Sequence, residues 1–324
     1  MRQFIERRTT GKTTTYHRRG VKITDTVEIE RIEAFVIPPA WQEVKISVSQ
    51  KSKIQVEGRD ASGKKQYIYS VKHVEMQHAA KFDRTAQFAL KLPSIRRRVK
   101  KDLKRRKFDK DKVLACAVSV LDKTYLRVGN EYYAKTNASY GLTTLRRKHV
   151  TVQDDRIVFD FIGKSGKHQH TELEDAEIAS IIKKLDTLPG HEIFRYYNEN
   201  NTLVDLKSSD VNEYIRTIMG EAFSAKDFRT WAGTMVAALE LAHTERPDTI
   251  TARKKIIVDT VKRVASELGN TPAVARGSYI DPYLFEQFET SNTIAEHFNK
   301  TKKLRSVQYL SKDEQRVILL LSNK

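Results

Sequence analysis

Tyr279 closes the stretch "LGNTPAVARGSY", residues 268–279. Gly269 ends one helix, Thr271 caps the next, and Pro272 takes its first position, where a missing N–H costs nothing. Tyr279 then falls at the frayed end of a helix barely two turns long, between Gly277-Ser278 and Asp281-Pro282, with Arg276 one turn back. Such a tyrosine either plugs a surface groove or holds its hydroxyl out for chemistry.

Four cations elsewhere stand in places a plain core would not choose. Arg127 follows a buried apolar run directly, where another apolar residue or a cap is expected. Lys164 sits at a hairpin tip flanked by glycines, so it can move. Arg229 lies in the first turn of a helix that Ser224 or Asp227 can cap, with Lys226 and Trp231 as neighbours, and helix N-termini favour anions. Singly, each is one of 59 basic residues and a structural role suffices. Together with Tyr279 they fit attack of a tyrosine on a phosphodiester. A phenol has a pKa of about 10 and needs cations nearby to favour the phenolate. Fixed guanidinium forks suit the charge that builds on the non-bridging oxygens of the transition state. The expelled 5′-oxygen needs a proton, which a mobile lysine can donate. Arginines doing this work remove the need for a metal, and the phosphotyrosine bond stores the energy of the broken linkage, so ATP is not needed.

The composition agrees with such a substrate. Lys and Arg number 59 against 41 Asp and Glu, a formal charge of +18 over 324 residues. That excess points to a polyanion, because neutralising phosphates releases condensed counterions; nucleic acid is the expected partner rather than an acidic membrane surface. A hydrophobic content of 39% with 13 Phe and 13 Tyr excludes a disordered chain. No apolar run is long enough to span a bilayer and no signal-peptide pattern stands out, so a cytoplasmic protein is expected. Cys116 is the single cysteine, which excludes disulfides and cysteine metal sites.

The elements that must position these residues follow an α+β pattern. The first twenty residues are basic and polar (Arg7, Arg8, Lys12, Arg18, Arg19) and read as a loose arm. From about 32 to 83 the signals are β-type: "KISVSQKSKIQVEG" alternates with period two, "GRDASGKK" is a turn, and "QYIYSV" is a strand with Tyr67 and Tyr69 on one face. With Lys64, Lys65 and Gln66 it can lie along a groove, or be a half-buried strand beside a solvated turn. Pro93 and Ser94 open a helix with Leu92, Ile95, Val99 and Leu103 on one stripe. Eleven of the seventeen residues from Arg96 to Lys112 are Lys or Arg, a run that usually means a solvated face. A small β-rich N-terminal domain, 1–84, is thus expected before a larger helical domain, 85–324. Within the latter, "VLACAVSVLDKTYL" reads as a buried helix, and "HVTV", "RIVFDFIG" and "KHQHTEL" read as a three-stranded antiparallel sheet. Helices are expected at about 175–187, 209–219, 227–243, 251–268, 272–280 and 311–321, the last opened by a capping box of Ser311 and Glu314.

Two tempting motifs are set aside. "GKSGK" at 163–167 lacks the glycine of a phosphate loop, since position 158 is valine, and it joins two strands rather than a strand and a helix. "HQH" at 168–170 has metal-like spacing, but with no acidic partner evident nearby it reads as a solvated strand edge, and no metal or cofactor is expected.

At this point the chain resembles the type IB DNA topoisomerases of the compact bacterial and poxvirus kind. The stretches that carry the resemblance are "IPPAW", "GRDASGKKQYIY", "AKFDR", "RVGNEYYAKTNASYGLTTLRRKHV", "FIGKSGK", "KDFRTWAG" and "LGNTPAVARGSY", in the family's order from about 36 to 279. The resemblance implies that Tyr279 is the nucleophile, Arg127 and Arg229 the two catalytic arginines, and Lys164 the general acid. Lys226 matches a lysine near the phosphate. Asn270 stands where poxvirus and eukaryotic members carry histidine; its amide can donate to a phosphate oxygen but cannot carry charge. A C-shaped clamp on duplex DNA is also implied, with Gln66, Tyr67 and Tyr69 on the first domain and Asn130 and Tyr133 on the second at DNA-contacting positions. The implied reaction is relaxation of supercoils through a 3′-phosphotyrosyl intermediate, by a monomer working on the nucleoid without nucleotide. Two alternatives stay open. A tyrosine recombinase shares the nucleophile, although Lys226 stands where recombinases usually have histidine and a helical N-terminal domain would be expected. A non-catalytic basic DNA-binding protein would leave the arginine, lysine and tyrosine set without a purpose.

Overall fold

The computed structural model describes residues 4–11, 13–291 and 293–324, with the side chains of 78–80 outside the description. The chain divides into two compact units, Met1–Asp83 and Arg84–Lys324.

The first unit is a six-stranded antiparallel sheet. The residues expected to be a loose arm supply two of its strands, β1 (Phe4–Thr10) and β2 (Thr13–Arg18), and β3 (Val21–Lys22) follows directly; Lys12 of that arm lies outside the described residues. The basic composition hid two strand signals. Ile5 is fully buried against Ile32, Val44, Ile46 and Val56. Threonines pair across β1 and β2, Thr9 with Thr14 and Thr10 with Thr13, and β-branched side chains pack well on a pleated surface. Arg7 is not a solvated charge either: its guanidinium donates to the carbonyls of Ile37, Pro38 and Trp41, ordering the proline-rich segment. A short helix, α1 (Thr26–Glu33), leads to β4 (Gln42–Ser47), β5 (Ile54–Arg59) and β6 (Lys65–Tyr69), and the strand order is β3-β2-β1-β4-β5-β6.

The helix expected to open at Pro93 instead runs unbroken from 71, as α2 (Val71–Leu103), with Pro93 inside it. An interior proline costs about 3 kcal/mol. Phe88, Leu92, Ile95 and Val99 form one buried stripe on both sides of it, and that packing outweighs the local penalty. The basic run divides. Arg96 is clamped between Asp122 and Glu314 at 2.7 and 2.8 Å, while Arg98, Arg105 and Lys110 pair with Asp102, Asp109 and Asp210. Arg97, Lys100, Lys101 and Lys104 form an exposed stripe at helical spacing.

The second unit is built around α3 (Lys110–Thr124), the expected buried helix, with Cys116 fully enclosed. After α4 (Glu131–Asn137) come β7 (Val150–Gln153), β8 (Arg156–Ile162) and β9 (His168–Glu174), paired in that order as the expected antiparallel sheet. Next are α5 (Ala176–Asp186), a hairpin of β10 (Arg195–Tyr197) and β11 (Leu203–Asp205), α6 (Ser208–Met219), α7 (Ala225–His243), α8 (Ile250–Glu267) and α9 (Pro272–Tyr279). Two further helices, α10 (Pro282–Thr290) and α11 (Thr293–Lys300), occupy a stretch where none was expected. Asp281-Pro282 looks like a stop, but the Asp281 carboxylate accepts from the Tyr283 N–H and Pro282 takes the first helical position, so the pair is a start. The described chain closes with α12 (Lys312–Ser322), capped by Ser311 and Glu314. No helix among the described residues is long and apolar enough to cross a membrane.

Candidate active site

Arg127 owes its place to a backbone clasp. Tyr125 adopts a left-handed conformation (φ 56°) that ends α3. The chain after it runs against residues 141–143: Leu142 N–H donates to Arg127 O and Thr143 N–H to Val128 O, both at 2.8 Å. A methyl group at Gly141 would lie 2.6 Å from the Arg127 carbonyl oxygen, so only glycine lets the two segments approach this closely. This close crossing accounts for the two glycines that bracket "RVGNEYYAKTNASYG".

Arg229 enters from α7. At the helix start, Asp227 accepts from both the N–H and the hydroxyl of Ser224 at 2.9 Å, so the two candidate caps work as a pair. The Arg229 side chain is buried and donates to the carbonyls of Tyr125 and, at 2.7 Å, Leu268. Burial, then the neighbouring charge of Arg127, push its pKa down to about 10, which leaves it charged at neutral pH.

These cations converge on Tyr279. The guanidinium carbon of Arg229 lies 5.1 Å from the Tyr279 ring centroid, and Arg229 hydrogen-bonds the Tyr279 side chain. Burial alone would raise the phenol's pKa. Arg229, by charge and by hydrogen bond, then Arg127 and the exposed Lys226 outweigh it, and the hydroxyl is held below its ordinary value.

The end of α9 is not frayed, contrary to expectation. Thr234 donates its hydroxyl to the Tyr279 carbonyl at 3.3 Å and accepts from the Asp281 N–H at 3.3 Å. Gly233 makes room for that carbonyl: a methyl group there would come within 2.5 Å of it. The nucleophile candidate is therefore pinned by its backbone rather than free to swing. Gly233 and Thr234 were not singled out from sequence, and only the unusual glycine of "TWAGT" within a helix hinted at a close approach.

Asn270 completes the cluster. Gly269 (φ 57°) and the bond from Asn270 N–H to Ala265 O, 2.8 Å, close α8 and aim the side chain inward. Its oxygen accepts from Arg127, and its amide nitrogen is buried with no partner among the described residues. Lys164 stays apart. It is exposed at the tip of the β8–β9 hairpin, beside Ser165 (φ 63°) and Gly166 (φ 69°), and among the described residues it makes no hydrogen bond or ion pair with the cluster.

The remaining candidates lie on the surfaces of the two units. On the first, Gln66 donates to Asp60 at 2.7 Å, and hydrogen bonds from Ser62, then Gln66, bring the Asp60 pKa down to about 2. Tyr67 and Tyr69 are both exposed, their rings 6.1 Å apart. On the second, Asn130 caps α4 by accepting from Tyr132 N–H at 2.9 Å, and Tyr132 and Tyr133 are exposed with rings 5.5 Å apart. The "HQH" segment does have an acidic partner. Antiparallel register sets Asp160 opposite His170, and Asp160 binds His168 at 2.7 Å and His170 at 2.9 Å.

A buried guanidinium thus lies over a tyrosine ring, beside a second arginine and a buried amide nitrogen with no partner among the described residues. Comparison with known proteins is specific. Residues 68–305 match the family model described as eukaryotic DNA topoisomerase I, catalytic core, and residues 15–60 match the bacterial DNA topoisomerase IB N-terminal domain. The chain is 32% identical over 273 residues to the DNA topoisomerase 1B of Acanthamoeba polyphaga mimivirus, covering 82% of this chain and 81% of the relative. It is 23% identical over 239 residues to DNA topoisomerase 1B of vaccinia virus, covering 72% of each. Identity to DNA topoisomerase 1 of Schizosaccharomyces pombe is 28% over 180 residues, 55% of this chain and 21% of the yeast protein. The chain belongs to the type IB DNA topoisomerase family.

Proposed function

We propose that this enzyme relaxes supercoiled duplex DNA by transient single-strand cleavage, with Tyr279 as the nucleophile. The observation that carries the reading is Arg229 lying on Tyr279 while Arg127 and the partnerless Asn270 amide stand beside it. The phenol loses its proton to water as the phosphate arrives, a step favoured by the surrounding charge. Its oxygen bonds to phosphorus, and the bond from phosphorus to the 5′-oxygen breaks, leaving a 3′-phosphotyrosine. Arg127, Arg229 and the Asn270 amide hydrogen-bond the non-bridging oxygens, and Lys226 adds charge at the rim. Lys164, mobile on its hairpin, protonates the departing 5′-oxygen. After the free strand rotates, the same steps in reverse reseal the backbone, so neither nucleotide nor metal enters the cycle.

In this reading the two units grip the duplex as a C-shaped clamp. Gln66, Tyr67 and Tyr69 meet it from one, Asn130 and Tyr133 from the other, and a single copy of the chain in the bacterial cytoplasm suffices. Exposed aromatics beside basic residues suit such a surface. The test is relaxation of positively and negatively supercoiled plasmid in EDTA without nucleotide, with adducts mapped by mass spectrometry. Both substrates should relax and the adduct should lie on Tyr279 with a free 5′-hydroxyl; Tyr279→Phe should bind DNA without cutting it. Strict dependence on a divalent ion, or an adduct on Tyr283, would overturn the proposal.

A further inference from the structure

Lys164 rides a hairpin tip, yet proton transfer requires it within hydrogen-bonding reach of the leaving oxygen. Among the described residues no hydrogen bond joins residues 163–167 to the turn between α8 and α9 that carries Asn270. Something else must set their spacing. On β9, His168 and His170 turn outward to Asp160, so strand alternation turns Gln169 to the opposite face. There its side chain lies between two glycines. A methyl group at Gly163, the residue before Lys164, would sit 2.9 Å from Gln169 Cγ. A methyl group at Gly269, the residue before Asn270, would sit 2.3 Å from Gln169 Oε1. The Gln169 amide also donates to the His168 carbonyl at 3.0 Å, which fixes its rotation. One side chain thus touches the backbone beside both Lys164 and Asn270.

We propose that Gln169 is a positioning residue, a strut that sets the distance between the Lys164 hairpin and the Asn270 turn. Because Arg127 and Asn270 locate the phosphate, this strut also sets the distance from Lys164 to the leaving oxygen. The inference rests on the reading of Lys164 as proton donor. Gly269 serves it twice, by its left-handed conformation and by leaving room for the Gln169 carboxamide.

The test compares single-turnover cleavage of an ordinary duplex with that of one carrying a 5′-bridging sulfur, which leaves without a proton. Gln169→Ala should slow the ordinary substrate about 10- to 100-fold, the scale of an ångström of misplacement, and remain near wild type on the sulfur substrate. Gln169→Met, which keeps length and loses the polar end, should rescue most of the loss. Equal slowing on both substrates, or no slowing on either, would overturn the strut. Lys164→Ala run in parallel separates the two claims. If it too is slowed equally on both substrates, the proton-donor reading fails and the strut fails with it. If it is spared on sulfur while Gln169→Ala is not, only the strut fails.

Discussion

Arg127 donates to the side-chain oxygen of Asn270, and that bond leaves the amide nitrogen at the other end buried and without a partner among the described residues. An unmet buried donor is costly, and a phosphate oxygen is the acceptor that the proposed reaction supplies.

Asn270→Ala should lower the cleavage rate about 10²- to 10³-fold, the usual loss for one oxyanion donor. Asn270→Asp should do worse, because a carboxylate keeps the bond to Arg127 but turns only acceptors toward the phosphate. Single-turnover cleavage measures both; an Asn270→Asp variant as active as wild type would remove the amide from the mechanism.

The charges around Tyr279 set a pH dependence. In the proposed reaction the attacking form is the phenolate, and the hydroxyl is held below its ordinary value of 10.0, first by Arg229. Cleavage should therefore rise with pH and level off below pH 10. Arg127→Ala removes one of the charges holding that value down, so the rising limb should move to higher pH besides losing rate. A pH–rate profile of the variant that superimposes on wild type after scaling would contradict this account.

Gly233→Ala is the sharpest probe of how the tyrosine is held. The added methyl group meets the Tyr279 carbonyl oxygen at 2.5 Å, so α9 must shift. Cleavage should fall about 100-fold with DNA binding retained in a mobility-shift assay. Full cleavage activity would show that α9 can relax without moving the hydroxyl.

Binding to duplex DNA should weaken steeply with salt. A clamp that neutralises about 6–10 phosphates loses roughly 10³–10⁵ in affinity between 50 and 200 mM salt. A flat profile in fluorescence anisotropy would argue against backbone wrapping.

Arg96 bears on stability instead. It joins α2 to Asp122 of α3 and Glu314 of α12, the latter also an acceptor for Trp231. Arg96→Ala strands both carboxylates and should cost about 3–5 kcal/mol, read from urea unfolding; a loss below 1 kcal/mol would class the pair with exposed ones.

Much of the cluster was legible because local rules wrote it. Gly269, Thr271 and Pro272 bound α9 by cap chemistry alone, and Ser224 with Asp227 announced the helix that carries Arg229. What stayed hidden depends on contacts distant in sequence. Pro93 looked like a helix start because the packing that carries α2 through it comes from elsewhere in the core. The first strands were masked by their cations, although Ile5 supplies the buried anchor. Asp160 is ten residues from His170 and met it only through the β8–β9 register. Thr234 and Tyr279 lie 45 positions apart, and no local pattern links them.

Arg229, Gly233 and Thr234 occupy little more than one turn of α7, so the charge that acidifies the hydroxyl and the seat that holds its backbone belong to one stiff rod. The arrangement resembles a calliper whose two jaws are cut from the same bar. Cation and phenol backbone are thus referred to the same helix. In the proposed cycle, where a strand is broken, rotates and must be resealed by the same atoms, a single helix setting that one distance keeps the site ready for the return step.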